Sequence, residues 1–181
     1  MIEEIFALVL HRHPHIIAFE GIAGVGKTTL INKFREACRD LGMKVSYIHD
    51  DFPPPPAAND ELRELHYMVQ GVEAAQRIAE KVHDGETTYL LIDRYLGSQW
   101  VYAVPHLRSY VHRFVDALPK PDFWVYIEPG PPATRQEEDS EELVSRYEMF
   151  WNMRQEPVIR AAYHPEWEDI VEEVMRMVED E

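Results

Sequence analysis

Apolar residues recur along this chain in two rhythms. Short, nearly unbroken runs such as Ile16-Ile17-Ala18-Phe19 and Tyr89-Leu90-Leu91-Ile92 alternate with longer stretches in which apolar positions return every three or four residues. A short run rich in branched and aromatic residues reads as a buried strand, and the longer spacing reads as a helix packed on one side. Strands are expected over residues 15–20, 44–49, 88–92 and 122–128. Helices are expected over about 27–41, 59–83 and 166–179, with one or two more within 98–117. In the first of these, Leu30, Ile31, Phe34, Ala37, Cys38 and Leu41 share a face, and Gly42 is a natural stop. The helix at 59–83 carries Leu62, Leu65, Val69, Val72, Ile78 and Val82. After residue 128 a proline-bearing turn leads into a charged helical stretch reaching about residue 162. A fifth strand is not marked, unless residues 163–167 supply it. Strands alternating with helices predict an α/β domain, a parallel sheet of four or five strands covered by helices.

Composition narrows the picture. A length of 181 residues suits one domain over 1–181 with a single core. The net charge of −15 argues against a nucleic-acid or anionic-membrane partner, although a nucleotide needs only a local cationic pocket. The single cysteine, Cys38, falls among the apolar positions of a helix and reads as a buried thiol. No apolar run approaches the length of a bilayer span, and Glu3 and Glu4 stand where a signal peptide wants positive charge. Residues 1–10 read as a short helix packed on the domain, and a cytoplasmic location is expected. His11, His13 and His15 alternate without a neighbouring acid or cysteine and read as a surface connector. The proline run 53–56 reads as a stiff connector.

One segment carries strong chemistry. Gly21, Ile22, Ala23, Gly24, Val25, Gly26, Lys27 and Thr28 fit G-x-x-x-x-G-K-[ST] between an expected strand and an expected helix. In such a P-loop, glycines turn backbone N–H groups toward the β-phosphate and the helix N-terminus faces the anion. Lys27 then serves the β- and γ-phosphates and Thr28 ligates Mg²⁺, with Thr29 beside it among the ATP-binding residues. Asp93 ends an apolar strand, where an acid can hold the Mg²⁺ shell. No N-K-x-D guanine-reading segment is present, and the length is short for a large ATPase.

With these features in view, the chain resembles the thymidylate kinase family. Phe19-Glu20-Gly21 looks like that family's F-E-G start, and Asp93-Arg94-Tyr95 with Ser98 and Tyr102 resembles its D-R-Y-x-x-S-x-x-x-Y segment. Pro121-Asp122 resembles its P-D-x-x-x-Y-L segment, and Arg135, Arg146, Glu148, Phe150 and Arg154 look like a compressed lid and following helix. The resemblance implies a three-layer P-loop kinase fold with a short helical lid over about 129–146. It also implies ATP as donor, Mg²⁺, and a deoxynucleoside monophosphate acceptor. Arg94 would bind the acceptor phosphate, with Ser98 and Tyr102 nearby. Arg135 or Arg146 would lie over the transferring phosphoryl, or else pair with the many nearby glutamates. Members of the family are commonly dimers, so the resemblance suggests a homodimer.

The sequence departs from that pattern on the acceptor side. Ala23 stands where the family places an acid, and Ala103 where a glutamine often follows the tyrosine. The expected second strand runs into Asp50, Asp51 and Phe52, not R-E-P-G-G. A carboxylate there suits a general base for a nucleoside hydroxyl better than a neighbour for an anionic monophosphate. His66, Tyr67 and Gln70 share a helix face and are acceptor-side candidates, with Phe52 and Trp100 as aromatic ones. Three functions stay open: a kinase of nucleoside monophosphates, a kinase of nucleosides or another hydroxyl acceptor with Asp50 or Asp51 as base, and a non-catalytic nucleotide-binding domain.

Overall fold

The computed structural model describes residues 14–49, 59–131, 140–163 and 167–179. The expectations placed on residues 1–10, on His11 and His13, on Asp50, Asp51 and Phe52, on the prolines 53–56 and on Arg135 lie outside these residues.

Five strands form one parallel sheet. They are β1 (His15–Glu20), β2 (Val45–His49), β3 (Tyr89–Asp93), β4 (Phe123–Ile127) and β5 (Val158–Ala161), in the order β2-β3-β1-β4-β5. Every residue of β3 and β4 is buried, which is why these strands read as unbroken apolar runs: both faces of a parallel sheet are covered. Around the sheet run α1 (Lys27–Asp40), α2 (Asp60–Asp84), the short α3 (Leu96–Val101), α4 (Arg108–Ala117), α5 (Ser140–Asn152) and α6 (Trp167–Glu179). Helix α1 packs with α6, while α3 contacts α2, α4 and α5. Two helical groups on one sheet are compatible with a three-layer arrangement. Right-handed crossovers explain the split, because β1 leads leftward to β2 whereas β3 leads rightward to β4. The two connections leave adjacent strands for opposite faces, opening a crevice at the carboxyl ends of β1 and β3.

Two expectations are corrected. The fifth strand exists at Val158–Ala161, inside the stretch expected to be helical, and α5 already ends at Asn152. This edge strand is only four residues long and turns Arg160 outward, where the guanidinium meets Glu148 and Glu128. The second correction concerns α2. Leu62, Leu65, Val69 and Val72 are exposed, whereas Glu64, Gln70, Ala74 and Ile78 are buried. The amino-terminal half of this helix therefore turns polar side chains inward. Asn59 caps it by accepting from the Leu62 N–H at 3.0 Å. Cys38 is buried as expected, and burial pushes its thiol up to about 11. Among the described residues, no helix is long and apolar enough to cross a membrane.

Candidate functional site

The crevice is built from the loop after β1 and the turn after β3. Gly21 opens the loop at φ 143°, and a Cβ there would stand 2.8 Å from the Ile127 carbonyl oxygen. Only glycine fits between the loop and the end of β4. Gly26 precedes α1 in the left-handed region and lends no side-chain cap, and the first turn holds no acid. The first turn of α1 therefore receives no acceptor from the side chain of its cap residue. Lys27, only 6% exposed, donates from Nζ to the carbonyls of Gly21 at 2.9 Å and Ile22 at 2.8 Å, which ties the loop across its mouth. Ala23 offers no charge, and Thr28 and Thr29 are exposed at the start of α1.

Thr28 and Asp93 meet although 65 residues separate them: Oγ1 donates to Oδ2 at 2.9 Å. The register of β1 against β3, Phe19 opposite Asp93, brings this about. Asp93 is 2% exposed and accepts a second hydrogen bond from the Tyr47 hydroxyl at 3.2 Å. His49, at the end of β2, lies with Nδ1 3.5 Å from the same oxygen.

Arg94 follows in a left-handed conformation, φ 66°, rare for a residue with a long side chain, and its N–H donates to the Phe19 carbonyl at 3.0 Å. Its guanidinium lies 5.2 Å from the centre of the Tyr102 ring. Burial acts to lower this group, but the phenols of Tyr147 and Tyr102 and the Glu20 carboxylate outweigh it, and the net shift is upward.

What holds this strained turn is Glu20, fully buried at the end of β1. Its Oε1 accepts from the Tyr95 and Gly97 N–H groups, both at 2.9 Å, at the first turn of α3. Its Oε2 accepts from the Ser98 hydroxyl at 2.6 Å and the Tyr147 hydroxyl at 3.3 Å. A Cβ on Gly97 would sit 2.8 Å from the Glu20 carboxyl carbon, so only glycine admits this approach. Burial pushes the Glu20 carboxyl above its usual range, against the hydrogen bonds of Ser98 and Tyr95 and the nearby Arg94. Ser98 thus stands behind the crevice, its hydroxyl engaged by Glu20 and, at 3.0 Å, by Tyr147.

The inward polar face of α2 meets α3 here. Gln70 is buried, and His66 and Tyr67 are half-buried with ring centres 6.1 Å apart. Opposite them stands Gln99, which the sequence reading passed over. It is 2% exposed, and both of its amide atoms, like His66 Nε2, are buried without a hydrogen-bond partner among the described residues. A Cβ on Gly71 would come within 2.4 Å of Gln99 Nε2, so the amide lies flat against α2. A buried amide costs free energy unless something pairs with it, which makes Gln99 a candidate for contact with a bound molecule or water. The only sequence signal was the polar residue inside an otherwise apolar short helix.

Of the two expected lid arginines, only Arg146 lies within the described residues. Arg146 pairs with Glu142 and donates to the Val101 carbonyl at 3.0 Å, so it joins α5 to α3, which corresponds to the glutamate-paired alternative. Trp100 is a core residue, with its ring 5.8 Å from that of Phe150.

Comparison with known proteins finds no matching family model and no matching curated protein.

Proposed function

We propose that this chain is an ATP-dependent P-loop phosphotransferase, thymidylate-kinase-like, that passes the γ-phosphoryl to a (deoxy)nucleoside monophosphate. One observation carries the reading: Thr28 and Asp93, 2.9 Å apart, meet beside a glycine-shaped loop that Lys27 closes through two carbonyls. Three chemically distinct groups that a triphosphate requires are thus found at one crevice.

The residues fit a Mg²⁺ ion. Thr28 and Asp93 supply adjacent hard oxygens. Among the described residues no cluster of three or more His, Cys, Asp or Glu side chains forms a cage, and Mg²⁺ usually keeps water and phosphate ligands. When bound, the ion would neutralise charge on the β- and γ-phosphate oxygens. Lys27, fixed by the Gly21 and Ile22 carbonyls, presents its ammonium to the same oxygens without a search of rotamers. The N-terminus of α1, which no side chain caps, adds its positive dipole end toward the anion.

On the acceptor side, Arg94 is a charged fork held rigid by its turn and by Tyr102, suited to bidentate contact with a phosphate. A monophosphate is already anionic, so its attack needs orientation more than a base. Gln99, Gln70 and His66 supply the donor and acceptor pairs that a nucleobase edge matches. Conversion of a deoxynucleoside monophosphate to its diphosphate, followed chromatographically with Mg²⁺ and ATP, tests this. Absence of diphosphate across all the common monophosphates would sink it.

A second reading keeps one observation in its favour. Strand β2 ends at His49, whose Nδ1 lies 3.5 Å from Asp93 Oδ2, and Asp50 is the next residue in the sequence. A nucleoside or other hydroxyl acceptor with Asp50 or Asp51 as base predicts turnover of free nucleosides that Asp→Asn at those positions abolishes. If nucleosides are inert, this reading falls.

A further inference from the structure

Tyr147 of α5 touches both halves of the crevice. Its hydroxyl lies 3.3 Å from the Gly21 carbonyl oxygen, the same oxygen that accepts from Lys27 at 2.9 Å. It also lies 3.3 Å from Glu20 Oε2 and 3.0 Å from Ser98 Oγ. Glu20 in turn accepts from the N–H groups of Tyr95 and Gly97, which follow Arg94. The single proton of the Tyr147 hydroxyl is therefore shared between the Gly21 carbonyl, on the loop that Lys27 ties, and the Glu20–Ser98 pair, which holds the turn that carries Arg94. The phenol ring cannot easily leave this position. It is fully buried, 5.2 Å from the Tyr126 ring and stacked 6.3 Å from Trp151.

We propose that Tyr147 is a positioning residue that fixes the donor-side Lys27 and the acceptor-side Arg94 relative to one another. The inference rests on the kinase reading above and extends it to a residue that touches neither phosphate. Transfer between two bound phosphates depends on their separation, and a displacement near 1 Å can lower a rate by about a hundredfold. The hydroxyl has one proton and three neighbours able to accept it, all within 3.3 Å, so the loop and the turn are both held within reach of the same proton. Because α5 bears it, movement of that helix is transmitted to both cationic groups together.

The test is Tyr147→Phe, which keeps the ring and removes only the hydroxyl. The expected result is a fall in kcat of about tenfold to a hundredfold, with affinity for Mg·ATP changed by less than about twofold. In an Arg94→Lys background, the same substitution is expected to change kcat by less than about twofold, because the group it positions is already displaced. Ser98→Ala, a smaller perturbation of the same network, is expected to lower kcat by a lesser factor and serves should the first variant not fold. An unchanged kcat in both variants, or the same factor lost in the Arg94→Lys background, overturns the proposal even if the melting temperature falls. A wild-type protein that transfers no phosphoryl group to any acceptor overturns the kinase reading, and this inference with it.

Discussion

At the scale of single residues, the crevice is organised around charges whose neighbours dictate their state. Arg94 is held charged and rigid, so its removal separates acceptor from donor. Arg94→Ala is expected to lower kcat/KM for the monophosphate by roughly a hundredfold or more, from loss of a charge-assisted contact, with Mg·ATP affinity nearly unchanged. Isothermal titration and steady-state kinetics together check both halves of that statement. Glu20 gives a pH prediction. Its folded-state carboxyl is raised above the ordinary value, so the fold binds more protons than the unfolded chain above pH about 4.5. Its contribution to stability is therefore greatest at low pH and declines as pH rises through the folded value. Urea unfolding of wild type and Glu20→Gln between pH 4.5 and 7 should show the wild type losing ground to the variant as pH rises. A constant difference across that range would contradict the assignment. The meeting of Thr28 with Asp93 was partly legible in advance. Lys27, Thr28, Asp93 and Arg94 stand in recognisable spacing. Tyr147 and Gln99 do not, because the first acts over 126 residues on Gly21 and the second shows its meaning only when its amide is found without partners.

At the scale of elements, close approach of backbones does more than propensity. Gly71 on α2 lets the Gln99 amide lie against the helix, and Gly71→Ala would bring a methyl within 2.4 Å of Nε2. The variant is expected to raise KM for the acceptor several-fold while leaving Mg·ATP binding intact, and an unchanged acceptor KM would remove Gln99 from the site. Gly97→Ala is expected to be more severe, since its Cβ would meet the Glu20 carboxyl carbon at 2.8 Å. Overpacking of this kind costs about 1–3 kcal/mol, measurable by denaturant unfolding. The central strands were legible because burial on both faces leaves an unbroken apolar run. Strand β5 was not, because it is an edge strand of four residues, one of them Arg160, directly after a charged helix. The apolar positions of α2 gave its helical period but not its orientation. Leu62, Leu65, Val69 and Val72 face outward while Glu64 and Gln70 face inward, where Glu64 accepts from the Val104 N–H and Gly71 meets Gln99.

At the scale of the whole molecule, the strand order β2-β3-β1-β4-β5 sends the connections after β1 and β3 to opposite faces, and the crevice follows from that divergence. A chain of net charge −15 keeps Lys27 and Arg94 at the carboxyl ends of β1 and β3, the local cationic place that the proposed nucleotide reading requires. The proposed donor side rests on Gly21, Lys27, Thr28 and Asp93, and the proposed acceptor side on Arg94 and the polar residues Gln70, His66 and Gln99. The most direct measurement is ADP release from Mg·ATP against (deoxy)nucleoside monophosphates and the parent nucleosides in parallel, with Lys27→Ala beside the wild type. The account predicts release driven by at least one monophosphate, faster than by any nucleoside, and abolished in Lys27→Ala. Release with nucleosides alone, or none above background with any acceptor, would contradict it.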